Sequence, residues 1–319
     1  MSFRDFGRRL LGLVVSLLVA SLLIFLAINA LPGSVASVVL GTQASPGEVA
    51  ALEERLGLNR PLLLRYVEWL LGVLTGDFGT TMIGGRDVLG EILPKLGVSA
   101  WLVALGMIFA LVIAVPLGSF AALRRRHASG FAASAISQIG LSIPAFWAGM
   151  WLVIVFAVNL RWLPAGGYVP LSRDPAGWAS HLVLPVMSLA LVQGSLLARY
   201  VRSAVIEVTS EDWFRTARAV GWSRLGALRR HGVRNIAISL LTVIGLQVAT
   251  LLVGAIIIEQ VFAIQGLGSR LLLAVSQRDL VLVQGIVLIL VWTVLVINFI
   301  VDAVYQAVDP RLKEASTVS

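Results

Sequence analysis

The chain has 319 residues, 58% of them hydrophobic and only 13% charged, with a mean hydropathy of +0.91. Soluble domains run at about 45–50% apolar and about 25% charged, so a soluble globule is excluded, as are disorder and fibrous repeats. The net charge of +8 makes the placement of the basic residues informative, and the absence of cysteine excludes disulfide frameworks, thiolate metal sites and cysteine nucleophiles.

In chain order, the first apolar run covers residues 10–28. Arg8 and Arg9 precede it as they would in a secretory leader. The run nevertheless outlasts the roughly 7–15 apolar residues of a leader, which predicts an uncleaved first span. Residues 32–97 then form a long polar segment, opened by Leu31-Pro32-Gly33 and broken at Pro46-Gly47, Pro61, Gly84-Gly85 and Pro94. Within it, residues 47–56 and 62–74 have helical periodicity, with Tyr66 and Trp69 in the second. A small helical outer cap is expected there.

Five more runs, each near the roughly 20 residues that cross a bilayer core, cover 99–123, 131–159, 182–201, 236–258 and 280–301. Pro116, Pro144 and Pro185 lie inside them as candidate kinks. The expected architecture is an all-α polytopic membrane protein with six transmembrane helices. It divides into 1–31 (N-terminus and first span), 32–97 (extracytoplasmic loop), 98–306 (a five-helix core) and 307–319 (tail). Asn29, Gln138, Gln193, Gln247 and Asn298 lie in spans, where interhelical hydrogen bonding explains such residues before any contact with cargo does. Gln138, Gln193, Gln247, Glu259, Gln265 and Asn298 are the candidates for a pathway or gate.

The segment 203–235 lies between the fourth and fifth spans. Thr209 precedes Asp212 by three residues, a pattern like a capping box that predicts a helix start. On a 3.6-residue wheel Trp213, Phe214, Ala217 and Val220 share one side, Arg215 and Arg218 the other, and Gly221 closes the helix. Such a helix either rests among lipid headgroups or docks its apolar side into a soluble partner, and the pattern does not separate the two.

With six spans both termini share a side. That side carries three basic residues before the first span, Arg124 to Arg126, eight from Arg199 to Arg234, and Arg311 with Lys313. The other side has nine, offset in the first loop by Glu48, Glu53, Glu54, Glu68, Asp77, Asp87 and Glu91. The termini are therefore expected in the cytoplasm, and nucleic-acid binding is not needed to explain the charge.

Catalytic chemistry is sparse. No Gly-x-x-x-x-Gly-Lys-Ser/Thr loop is present for nucleotide phosphates, and no His-Glu-x-x-His for zinc. His127, His181 and His231 fall in separate loops or span ends. No Gly-x-Ser-x-Gly elbow occurs either. Asp302 and Glu259 leave an intramembrane hydrolase formally open, but they sit near opposite faces, whereas a catalytic pair must meet within a few ångströms. A gated channel has no filter motif or charged ring in its favour.

The stretch Trp213-Phe214-Arg215-Thr216-Ala217-Arg218-Ala219-Val220-Gly221-Trp222 resembles the cytoplasmic coupling loop of bacterial ABC importer permeases, in particular the dipeptide, oligopeptide and nickel branch. Other motifs of that branch follow in order. They are Leu31-Pro32-Gly33, the run Arg55-Leu56-Gly57-Leu58-Asn59-Arg60-Pro61-Leu62, Gly76-Asp77-Phe78-Gly79-Thr80, Ser142-Ile143-Pro144-Ala145-Phe146-Trp147, Leu163-Pro164, Val261-Phe262, Gly266-Leu267-Gly268 and Asp309-Pro310-Arg311. Val220, Ser239, Gln265 and Ser34 depart from the usual lysine, proline, proline and aspartate.

The resemblance implies a type I ABC importer permease fold and a multi-pass subunit of the bacterial inner membrane. It implies a second homologous permease, two ATPase subunits and an extracytoplasmic binding protein as partners. ATP and magnesium would sit on the ATPases, with no cofactor on this chain, and the cargo would be dipeptides or oligopeptides, or else nickel complexes or other small solutes. Glu211, Trp213, Phe214, Arg215, Ala217, Arg218, Val220 and Gly221 would then couple the spans to the ATPase.

Overall fold

The computed structural model describes residues 3–30, 40, 45–55 and 59–308. The motifs Leu31-Pro32-Gly33 with Ser34, Leu56-Gly57-Leu58 and Asp309-Pro310-Arg311 lie outside the described residues. The helices are α1 (Phe3–Asn29), α2 (Pro46–Arg55), α3 (Leu62–Leu74), α4 (Val88–Leu123), α5 (Ala128–Ser142), α6 (Ala145–Leu152), α7 (Pro175–Ser210), α8 (Asp212–Ala219), α9 (Arg224–Ala227), α10 (Val233–Val261), α11 (Leu267–Ser276) and α12 (Leu280–Val308). Among the described residues the extended pairing is one isolated bridge, Thr80 with Asp87.

Five helices are long and apolar enough to cross a membrane: the Gly7–Asn29 part of α1, then α4, α7, α10 and the Leu280–Val304 part of α12. The run at 131–159, expected as one span, is instead a broken pair. Ala128–Ser142 and Ala145–Asn159 meet at 99°, and counting the pair as one span brings the total to six. The break has a local cause. Pro144 crowds the residue before it out of the helical region, and Ile143 is extended at φ −93° and ψ 121°. The second half then widens into a π-helix over Val153–Asn159.

Chain contacts divide the structure into two compact units, Ser99–Gln265 with Ile297–Ser319, and Ser2–Val98 with Gly266–Val296. In the first unit α7 is the interior helix and packs against α5, α6 and α10. Two thirds of its most apolar window is buried (67%), against 11% for α1. Small residues allow close approach. A Cβ at Gly118 would fall on the carbonyl of Ala198 and the side chain of Val201, so glycine sets the spacing of α4 on α7. Phe262, fully buried, is the other fixed point of this unit: its carbonyl accepts the Gly167 N–H at 2.7 Å, and its ring lies against Gly149.

In the second unit α3 lies on α1. The Tyr66 and Ser21 hydroxyls are 2.8 Å apart, Arg65 donates to Asn29 Oδ1 at 2.7 Å, and the Phe25 ring meets Tyr66 edge-on at 5.5 Å. Val73, Phe78, Val88, Ile92, Leu267 and Ile286 belong to its core. Arg270 and Arg86 both donate to Glu91, at 3.1 and 2.9 Å, which ties α11 to the start of α4. The two helices expected in the outer segment form at 46–55 and 62–74. α2 starts with a reciprocal cap, in which the Ser45 N–H and hydroxyl each donate to Glu48 at 2.8 Å and the Glu48 N–H returns to Ser45 Oγ at 3.4 Å.

Candidate functional site

The segment between α7 and α10 begins differently from the sequence expectation. Thr209 does not cap α8, because α7 runs on to Ser210 and places Thr209 in its last turn. There the Thr209 hydroxyl donates back to the Ile206 carbonyl at 3.1 Å. α8 starts at Asp212 after an extended Glu211 (φ −65°, ψ 149°), with no side-chain cap.

The end of α8 is closed fully. The Trp222 N–H reaches the Ala217 carbonyl at 3.1 Å and the Gly221 N–H reaches the Arg218 carbonyl at 3.2 Å. With Gly221 at φ +100°, these are the two bonds of a Schellman motif. Arg218 Nη1 also donates to the Trp222 carbonyl at 2.5 Å, and the Arg230 guanidinium lies over the Trp222 ring at 5.7 Å. Ser223 then caps α9 by accepting the Gly226 N–H at 3.0 Å. A rigid helix, a fixed turn and a second short helix result.

The expected apolar stripe is divided between two environments. Phe214 is buried within the chain, Trp213 and Ala217 are half-buried, and Val220 is 74% exposed. The wheel fails at Val220 because α8 ends at Ala219, beyond which successive residues no longer advance by 100°. Phe214 thus anchors α8, while Val220 with Trp222 and Leu225, all exposed, forms the outward apolar surface at the Gly221 turn. Trp222, which ends the stretch that resembles the coupling loop, and Leu225 were not among the coupling residues expected from sequence; their signal was their place beside a helix-closing glycine.

The six polar candidates do not converge. Gln193 donates to Gln247 at 2.8 Å, which joins α7 to α10. Glu259 is buried and accepts the Ser99 hydroxyl at 2.5 Å, which joins α10 to α4. Asn298 faces Gly245, whose built Cβ would come within 3.3 Å of its Oδ1. Gln138 and Gln265 are exposed. The two hydrogen-bonded pairs therefore behave as helix-joining groups, each satisfying a polar atom that would be costly to leave unpaired in an apolar layer. Among the described residues no group of three His, Cys, Asp or Glu side chains is placed to hold a metal.

Comparison with known proteins adds three findings. Residues 114–314 match the family model described as binding-protein-dependent transport system inner membrane component, and residues 2–90 match the model of that system's N-terminal membrane component. The chain is 37% identical, over 96% of its length and 97% of the relative's, to the glutathione transport system permease protein GsiC of Salmonella typhi. It is 36% identical, over 96% of its length and 98% of the relative's, to a putative peptide transport system permease protein of Brucella abortus (strain 2308). Among solved structures, an inward-facing MetNI methionine ABC transporter chain superposes with a TM-score of 0.55 at 20% identity, over 69% of this chain and 97% of that one.

Proposed function

The chain belongs to the family of binding-protein-dependent transport system inner membrane components, which makes it the multi-pass permease component of an ABC importer, and we propose that its cargo is small peptides. The observation that carries the cargo is the near full-length similarity to permeases named for glutathione, itself a tripeptide, and for peptides. The permease pairs with a second, homologous permease. Two separate ATPase subunits bind and hydrolyse ATP with magnesium, and an extracytoplasmic protein delivers the peptide. The chain itself catalyses nothing.

Residues 211–221 transmit the ATPase movement to the spans. A coupling element has to move as one body, and α8 is suited to this by its buried Phe214 anchor and its closed C-terminal turn. The exposed Val220, Trp222 and Leu225 supply apolar area for the ATPase surface.

The test is reconstitution of the assembled transporter in liposomes, with ATP and magnesium supplied on the ATPase side. Labelled glutathione and dialanine accumulate only when the binding protein is present. Accumulation of a nickel complex with neither peptide transported overturns the cargo.

A further inference from the structure

Behind α8 lies a cavity of about 450 Å³ with an unusual lining. Arg125, Arg126, Arg215, Arg218, Arg224 and His127 all face it, together with Leu123 and Phe214. Among the described residues no carboxylate lines it. The ion pair that any of these arginines makes among the described residues is Arg215 with Asp212, at 3.6 Å, and that pair is largely exposed to solvent. Five guanidinium groups gathered around one hollow repel one another and raise the local positive potential. An anion held between them removes that repulsion, and guanidinium groups suit phosphate oxygens because they donate in a fixed planar fork.

The position of the cavity says which phosphate. Leu123 is the last residue of α4, a candidate span, and Ala128 opens the next apolar pair. The cavity therefore sits where apolar helix gives way to polar chain, the depth of lipid headgroups. Phe120 and Phe131, one on each side of the Arg124–His127 corner, are exposed at 42% and 76%. They offer apolar surface on which acyl chains can lie. An acidic protein segment would need no such apolar flank.

We propose that this arginine-lined cavity binds the phosphate group of an anionic phospholipid, with Arg125 and Arg126 on one wall and the coupling helix on the other. The bound headgroup braces α8 against the α4–α5 corner, so the lipid becomes part of the platform on which α8 rests.

The assembled transporter, purified in mild detergent, is titrated with short-chain phosphatidylglycerol, and bound lipid is read by native mass spectrometry. A basic residue near an anionic lipid contributes about 1 kcal/mol, which is about fivefold in affinity. Arg125→Gln with Arg126→Gln is therefore expected to weaken one binding step about 25-fold. Arg125→Lys with Arg126→Lys keeps most of that step, which separates lost charge from lost fold, and Arg173→Gln, in a different loop, leaves it unchanged. Phosphatidylcholine, with no net charge, does not fill the step.

Inorganic phosphate is the second arm. Displacement of the lipid only by tens of millimolar phosphate supports the lipid as occupant; phosphate that binds tightly while phosphatidylglycerol does not keeps the phosphate chemistry and overturns the lipid. Equal lipid binding by wild type and the Gln pair overturns the site. Loss of the ATPase subunits from the Gln pair with lipid binding unchanged also overturns it, in favour of an acidic protein contact.

Discussion

Ala263 and Gly221 occupy the same structural position at the ends of two helices, with opposite chemistry. Both are the left-handed residue of a Schellman closure, Ala263 at φ 49° and Gly221 at φ +100°. At α10 the Ile264 N–H reaches the Glu259 carbonyl at 2.8 Å, and Ile264 is buried. Burial of Ile264 holds Ala263 in a conformation that a side chain disfavours by roughly 1 kcal/mol. Ala263→Gly is expected to raise stability by up to about 1 kcal/mol, read as a higher unfolding midpoint in detergent. Gly221→Ala is expected to lower it by about the same amount, through backbone strain alone, since a Cβ there meets nothing within 4 Å. The Gly221 turn was legible in the sequence because glycine announces it. The turn at Ala263 was not, since its cause is a tertiary contact.

At the same scale, Glu48 titrates against its cap. The Ser45 N–H, then the Ser45 hydroxyl, hold its carboxyl below the ordinary 4.5. A depressed carboxyl pKa stabilises above the unfolded value and stops doing so as pH falls through the folded one. Amide protection in the first turn of α2 should therefore decline as the pH falls through the lowered Glu48 value, below the ordinary 4.5. Ser45→Ala should move the Glu48 titration up toward 4.5, as followed by NMR of the side chain.

Among the elements, α8 shows what amphipathic patterning can and cannot convey. The alternation of Arg215 and Arg218 with Trp213, Phe214 and Ala217 is enough to predict a short helix, and one forms at 212–219. Which apolar residue turns inward depends on where the helix stops and on what α7 offers beside it, neither of which is local. The division yields paired expectations. Phe214→Ala removes a buried anchor and should cost about 3 kcal/mol of stability, loosening α8 and halting uptake. Val220→Asp changes a side chain that is 74% exposed and should leave the permease folded and inserted while ATPase subunits fall away in a pull-down. Unimpaired ATPase binding by Val220→Asp would place the docking surface elsewhere on the loop. The third span tells a similar story: Pro144 and its neighbours were visible as a kink, but a 99° break requires α6 to find packing partners in α7 and α10, which periodicity does not reveal.

For the whole molecule, hydropathy alone located the long apolar helices, since a helix apolar on every side has few alternatives to a membrane or a core. It could not rank them. α7 is interior and α1 is largely uncovered within the chain, though both read as apolar runs of similar length. The difference lies in small residues such as Gly118, which faces Ala198 and Val201; replacing it with leucine should force α4 from α7 and cost about 1–3 kcal/mol by overpacking.

Orientation rests on a different physical term, the excess of arginine on the loops that remain in the cytoplasm. By that rule, Arg124 to Arg126 and the eight arginines from Arg199 to Arg234 predict the α4–α5 corner and the α8 loop on the cytoplasmic side and Ser45 with the α2–α3 segment on the other. In a chain with no native cysteine, single substitutions give a clean readout. Ser45→Cys should react with an impermeant maleimide in cells whose outer envelope alone is opened, and Arg229→Cys, on the exposed face beyond α9, only after the inner membrane is lysed. The reverse pattern would invert the topology, and it would put the α8 surface on the side where no ATPase could reach it.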